Sequence, residues 1–136
     1  MRNAEKKHEM NKAVLDASAF IALLHEEPGS LVVKNYAPQA LMSAVNLSEV
    51  LVKLNSLKIP DLSVYTNVLT LIKEIIPFDT TQAITAASLI TLTKPHGLSL
   101  ADRACLSLAI SHHLPVVTAD KIWKKIKLPI DVILIR

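Results

Sequence analysis

Glycine is nearly absent from this 136-residue chain, which holds only Gly29 and Gly97. Glycine-rich phosphate cradles need several glycines at fixed spacing so that the backbone can approach the phosphate. A P-loop and a dinucleotide fingerprint are therefore both excluded. Cysteine is as scarce: Cys105 stands alone, which rules out an internal disulfide and any cysteine-rich zinc site. Its helical spacing with Ala101, Ala104 and Leu108 places it in a core. Aromatics make up 4% of the residues, too few for a platform that stacks bases. No run of about 20 strongly apolar residues occurs, so no membrane span is expected.

Hydrophobic residues make up 51% and charged residues 20%, enough apolar surface for a buried core and too little charge for disorder. The length suits one domain, read here as residues 13–136. Residues 1–12, MRNAEKKHEMNK, are polar and mixed in charge. They lack the apolar segment of a signal peptide and read as a flexible leader on a cytoplasmic protein. A formal charge of +3 is compatible with a nucleic-acid partner without requiring one.

Short apolar runs alternate with helical patterns. AVLD (13–16), ALMSAV (40–45), IIPF (75–78), PVVT (115–118) and DVILI (131–135) read as strands. Between them, helices are expected over 18–27, 30–37, 46–58, 61–73, 80–93 and 99–112, with a short basic helix over 121–127. The segment 80–93, TTQAITAASLITLT, reads as largely buried. Strands separated by helices predict an α/β fold, a parallel sheet with helices on both faces. In such sheets the C-terminal strand ends open on one edge, where ligands bind.

Four acids fall at that edge. Asp16 and Asp120 end the first and fourth strands; Glu49 and Asp102 lie in the first turns of helices that start there. Each has a capping explanation, because an acid near a helix N-terminus gains roughly 0.3–1 kcal/mol against the macrodipole. NLSE (Asn46 to Glu49) and SLAD (Ser99 to Asp102) both have capping-box spacing, and Asp120 has the position of an N-cap. Gathered within about 5 Å, however, each pair would repel by roughly 3 kcal/mol at an effective dielectric near 20. A divalent cation removes that conflict, and hard oxygen ligands favour Mg²⁺ or Mn²⁺ over zinc.

The segments AVLDASAFIALLHEEPGS, SAVNLSEVLVKL, GLSLADRACLSLAISHHLPVVTAD and KIW resemble the successive motifs of PIN-domain proteins. More closely, they resemble VapC-type toxin ribonucleases of bacterial or archaeal toxin–antitoxin pairs. The resemblance runs from about Val14 to the C-terminus and lies in the order D-x-S, N-x-x-E, L-x-x-x-D-R and T-A-D. It implies a three-layer sandwich around a five-stranded parallel sheet, with Asp16, Glu49, Asp102 and Asp120 as an acidic quartet holding one or two Mg²⁺ or Mn²⁺ ions. It places Ser18, Asn46, Arg103 and Thr118 around the site. It further implies hydrolysis of RNA phosphodiester bonds by metal-activated water, an antitoxin partner and a homodimer. Relatives often carry a glycine shortly before the fourth strand, where this chain has SHHLP.

Other readings lie beside this one. A PIN-like fold that binds RNA or protein without cleaving is the main alternative. A haloacid-dehalogenase-like phosphotransferase would want a second aspartate where Ser18 stands. Cleavage through the 2′-hydroxyl would use histidines, but His112 and His113 are adjacent and diverge by about 100° on a helix. Asp79, also at a strand end, reads as a cap, and Trp123 as a packing anchor. Lys121, Lys124 and Lys125 form either a solvated helix face or a rim that holds RNA phosphates.

Overall fold

A computed structural model describes residues 11–56 and 62–136. Five short strands build one sheet: β1 (Val14–Leu15), β2 (Leu41–Ser43), β3 (Glu74–Ile76), β4 (Val116–Thr118) and β5 (Val132–Leu134). Their order is β3-β2-β1-β4-β5, and every pairing is parallel. The helices are α1 (Ala17–Leu24), α2 (Ser30–Tyr36), α3 (Ala44–Ser56), α4 (Leu62–Leu69), α5 (Thr80–Ser88), α6 (Ile90–Thr93) and α7 (Leu100–His112). Three-residue 3₁₀ turns follow α2 and α6, and a 3₁₀ segment spans Lys121–Lys125.

The alternation of side chains along each strand makes the fold three-layered. Leu15, Met42 and Val117 enter a core shared with Phe20, Val33, Val50 and Leu54 from α1, α2 and α3. Their strand neighbours Val14, Leu41 and Val116 point the other way, into a core with Cys105, Leu106 and Leu108 of α7 and with Trp123. Successive residues of a strand face opposite sides, so two apolar residues in a row serve two cores, as a sheet covered on both faces requires. Cys105 and Trp123 are fully buried, as their spacing and bulk predict.

The five expected strands are all present, and the bounds of several elements differ. α3 begins at Ala44, not Asn46, because the chain turns from strand to helix directly after Ser43, whose Oγ accepts the Val45 N–H at 3.2 Å. Asn46 is thus inside the first turn and is not its cap. The segment 80–93 is not one buried helix. It divides at Leu89 into α5 and α6 and buries a single stripe, Gln82, Ala86, Leu89 and Thr93, while Ile84 is 67% exposed. The Thr93 hydroxyl bonds back to the Leu89 carbonyl at 2.8 Å; such back-bonding competes with regular helix geometry. The leader's first ten residues and the expected helix start at Asp61 lie outside the described residues.

α7 ends without the glycine expected before β4. His113 itself adopts the left-handed conformation, φ 53°, that glycine usually supplies at this position. The N–H groups of His113 and Leu114 then satisfy the Ile110 and Ala109 carbonyls at 3.2 and 3.0 Å.

Candidate active site

The order β3-β2-β1-β4-β5 reverses direction between β1 and β4, and a crevice opens beyond the C-terminal ends of those two strands. Asp16 follows β1, and Asp120 lies two residues beyond β4. α3 and α7 start at the same edge and bring Glu49 and Asp102. All four acids line one cavity of about 600 Å³, together with Ser18, Ile21, Val52 and Lys53.

Asp16 is the buried member, at 5% exposure. Ser18 Oγ and Thr118 Oγ1 both donate to its Oδ2, at 2.7 and 2.8 Å. Each hydroxyl has one proton, so each is left to accept, and they take the N–H groups of Ala119 and Asp120, both at 3.0 Å. Two residues thereby join the end of β1 to the chain leaving β4. Burial pushes the Asp16 carboxyl from 3.8 up to about 6; the two hydroxyls pull it down, and the charges of Asp102 and Glu49 push it further up. The same burial and the same three acids raise the Cys105 thiol well above its ordinary value, which leaves it inert.

The other acids are held by helix geometry. Asp102 completes a capping box with Ser99: its Oδ2 accepts the Ser99 N–H at 2.9 Å, while Ser99 Oγ accepts the Asp102 N–H at 3.2 Å. Asp120 caps the 3₁₀ segment through Oδ1 and the Ile122 N–H at 3.0 Å. Glu49 Oε1 accepts from Asn46 Nδ2 at 3.0 Å. Capping therefore holds for Asp102 and Asp120, and both also face the shared cavity.

A common pattern emerges from these bonds. One oxygen of each acid is fixed by the protein, and among the described residues no hydrogen bond takes the second. In type the four carboxylates are hard oxygen donors of the kind Mg²⁺ and Mn²⁺ favour, and the charged form of Asp16 is disfavoured first by burial and then by Asp102 and Glu49. As placed, the acids line the cavity without converging on one point. Among the described residues, no three His, Cys, Asp or Glu side chains form a group that could hold a metal ion.

The remaining expected residues fall into two sets. Thr118 and Asn46 are fully buried behind the acids. Arg103 and the exposed lysines Lys121, Lys124 and Lys125 do not line the cavity, and Arg103 Nε is buried without a partner among the described residues. His112 borders a second cavity with Lys12 and Lys73, at the opposite edge of the sheet from the acids. Asp79 caps α5 by accepting the Gln82 N–H at 2.9 Å. The sequence reading missed Val52 and Lys53 at the site. Their spacing of three and four residues from Glu49 puts them on the same helix face and was the available signal.

Comparison with known proteins bears on the family and the fold. Residues 13–128 match the PIN domain family. Among curated proteins no sequence matches significantly. Among solved structures, a toxin–antitoxin complex from Klebsiella pneumoniae aligns at a TM-score of 0.73 and 21% identity, over 91% of this chain and 98% of that one. DNA-bound VapBC from Salmonella typhimurium aligns at 0.68 and 17%, over 92% and 98%. FitAcB from Neisseria gonorrhoeae aligns at 0.64 and 20%, over 90% and 97%.

Proposed function

Because this chain belongs to the PIN-domain family, we propose that it is a metal-dependent endoribonuclease, the toxin of a toxin–antitoxin pair. The observation that carries the reading is the meeting of Asp16, Glu49, Asp102 and Asp120, from four different elements, at one cavity beside the β1/β4 reversal. Those four residues would hold one or two Mg²⁺ or Mn²⁺ ions. A cation bound there supplies a water of lowered pKa and neutralises charge on the scissile phosphate.

The chain's own groups do the positioning. Ser18 and Thr118 both donate to Asp16 Oδ2 and so hold its carboxylate in one orientation. The capping bonds orient Asp102 and Asp120 before any ligand arrives. Lys121, Lys124 and Lys125, exposed on the segment that Asp120 caps, offer point charges to the flanking phosphates of an RNA strand.

The proposal of an antitoxin partner is supported by the structural neighbours, which include toxin–antitoxin complexes. Val52, Leu69 and Leu71 remain partly exposed after α3 and α4 have packed, leaving apolar surface for such a partner or for a second copy in a homodimer. No helix among the described residues is long and apolar enough to cross a membrane; the cytoplasm, where RNA is available, is the proposed location.

The ends of the cleavage products test the chemistry. Water attack leaves a 5′-phosphate, whereas attack by the 2′-hydroxyl passes through a 2′,3′-cyclic phosphate. Cleaved RNA bearing 5′-phosphates is expected. Cyclic phosphate ends would overturn the mechanism, and RNA bound in Mn²⁺ but left intact would favour the non-catalytic module.

A further inference from the structure

Asn46 is completely buried, and its amide is only partly satisfied. Its Nδ2 donates twice, to Glu49 Oε1 and to the backbone carbonyl of Ala101, both at 3.0 Å. Its Oδ1 is buried and has no partner among the described residues. The orientation of the amide is settled by these neighbours: turned over, Oδ1 would meet a carboxylate and a carbonyl, three acceptors together. An apolar side chain of similar volume would fill the position without burying an amide oxygen of its own. What the amide adds is the pair of bonds from Nδ2.

Those bonds connect two elements. Glu49 sits one turn further along α3, on an exposed part of that helix. Ala101 is in the first turn of α7, immediately before Asp102. We infer that Asn46 is a positioning residue that ties the Glu49 carboxylate to the start of α7 and so sets the spacing of Glu49 and Asp102. The inference rests on the metal-site reading above. Asn46 does not reach the cavity, and it acts on a ligand only through Glu49 and the α7 backbone.

Two measurements on the full chain test this. In metal-free ¹⁵N NMR spectra, both Asn46 Nδ2 protons should exchange slowly, and Glu49→Ala should shift and release one of them. Asn46 amide signals unchanged in Glu49→Ala would overturn the inference. The second measurement is the affinity for Mn²⁺ alone, by calorimetry, in wild type, Asn46→Ala, Glu49→Ala and the double variant. Asn46→Ala should weaken binding by about 10–100-fold, the usual range for a residue behind a ligand, and should add almost nothing once Glu49 is alanine. Wild-type affinity in Asn46→Ala, or an equal loss in the Glu49→Ala background, would also overturn it. If Asn46→Ala does not fold, Asn46→Ser takes its place in the series, and the wild-type and Glu49→Ala spectra still decide. A wild type that binds no Mn²⁺ defeats the metal reading, while the spectra independently decide the role of Asn46.

Discussion

The ends of β3 and β4 share a local design and differ in their company. Each strand leaves the sheet towards an aspartate that caps the next helical turn, Asp79 through the Gln82 N–H at 2.9 Å and Asp120 through the Ile122 N–H at 3.0 Å. β3 is an edge strand, and Asp79 is not among the residues that line the acidic cavity. β4 lies beside β1, and Asp120 shares its cavity with Asp16, Glu49 and Asp102. Local sequence makes both aspartates caps; sheet order brings only one of them to the acidic cavity. The comparison also separates two costs. A cap stabilises its helix, whereas a buried acid among other acids destabilises the fold until something neutralises it.

Asp16 gives the largest expected difference in stability. Its folded-state pKa is raised from 3.8 to about 6, so between those pH values the native protein holds a proton that the unfolded chain has released. The favourable contribution is complete below pH 3.8, declines as pH rises, and is lost above about pH 6. Asp16→Asn keeps an acceptor for Ser18 and Thr118 without the charge. In EDTA it should be more stable than wild type at pH 7.5, by up to about 3 kcal/mol, with the gain gone at pH 3.5. Thermal unfolding at the two pH values checks this, and Asp79→Asn should show no such gain.

Metal binding should offset the same destabilisation. Mn²⁺ at a hundred times its dissociation constant should stabilise the wild type by about 2.7 kcal/mol. Asp16→Asn should show little of that response and Asp79→Asn all of it. The smallest effect concerns the caps themselves. Asp79→Ala and Asp120→Ala should each lose about 1 kcal/mol, typical for an N-cap. Only Asp120→Ala should also lose affinity for Mn²⁺ in a titration. Equal Mn²⁺ affinity in the two variants would erase the distinction between the strand ends.

Much of this was legible in the sequence. Five apolar runs gave the five strands, because a two-sided sheet needs both residues of each strand pair buried, as with Val14 and Leu15 or Val116 and Val117. The capping box at Ser99 and Asp102 was written in their spacing. What was obscured is where local preference and tertiary context disagree. Val45 is β-branched and prolonged the expected second strand into what is the first turn of α3. Ile84, Ile90 and Leu92 suggested burial for the segment 80–93, yet they face outward. The bond from Asn46 to Ala101 spans 55 residues, and no pattern in the sequence announces such a contact.

The central claim is that the acids beside β1 and β4 form a metal-dependent nuclease centre. The most direct measurement is cleavage of single-stranded RNA by the purified chain in Mn²⁺, with EDTA, Asp16→Asn and Asp79→Asn as comparisons. Cleavage should occur in Mn²⁺, cease in EDTA, and be unaffected in Asp79→Asn. Asp16→Asn should lose more than about 100-fold, beyond the range typical of residues behind a metal ligand. RNA cleavage that survives both EDTA and Asp16→Asn would contradict the account.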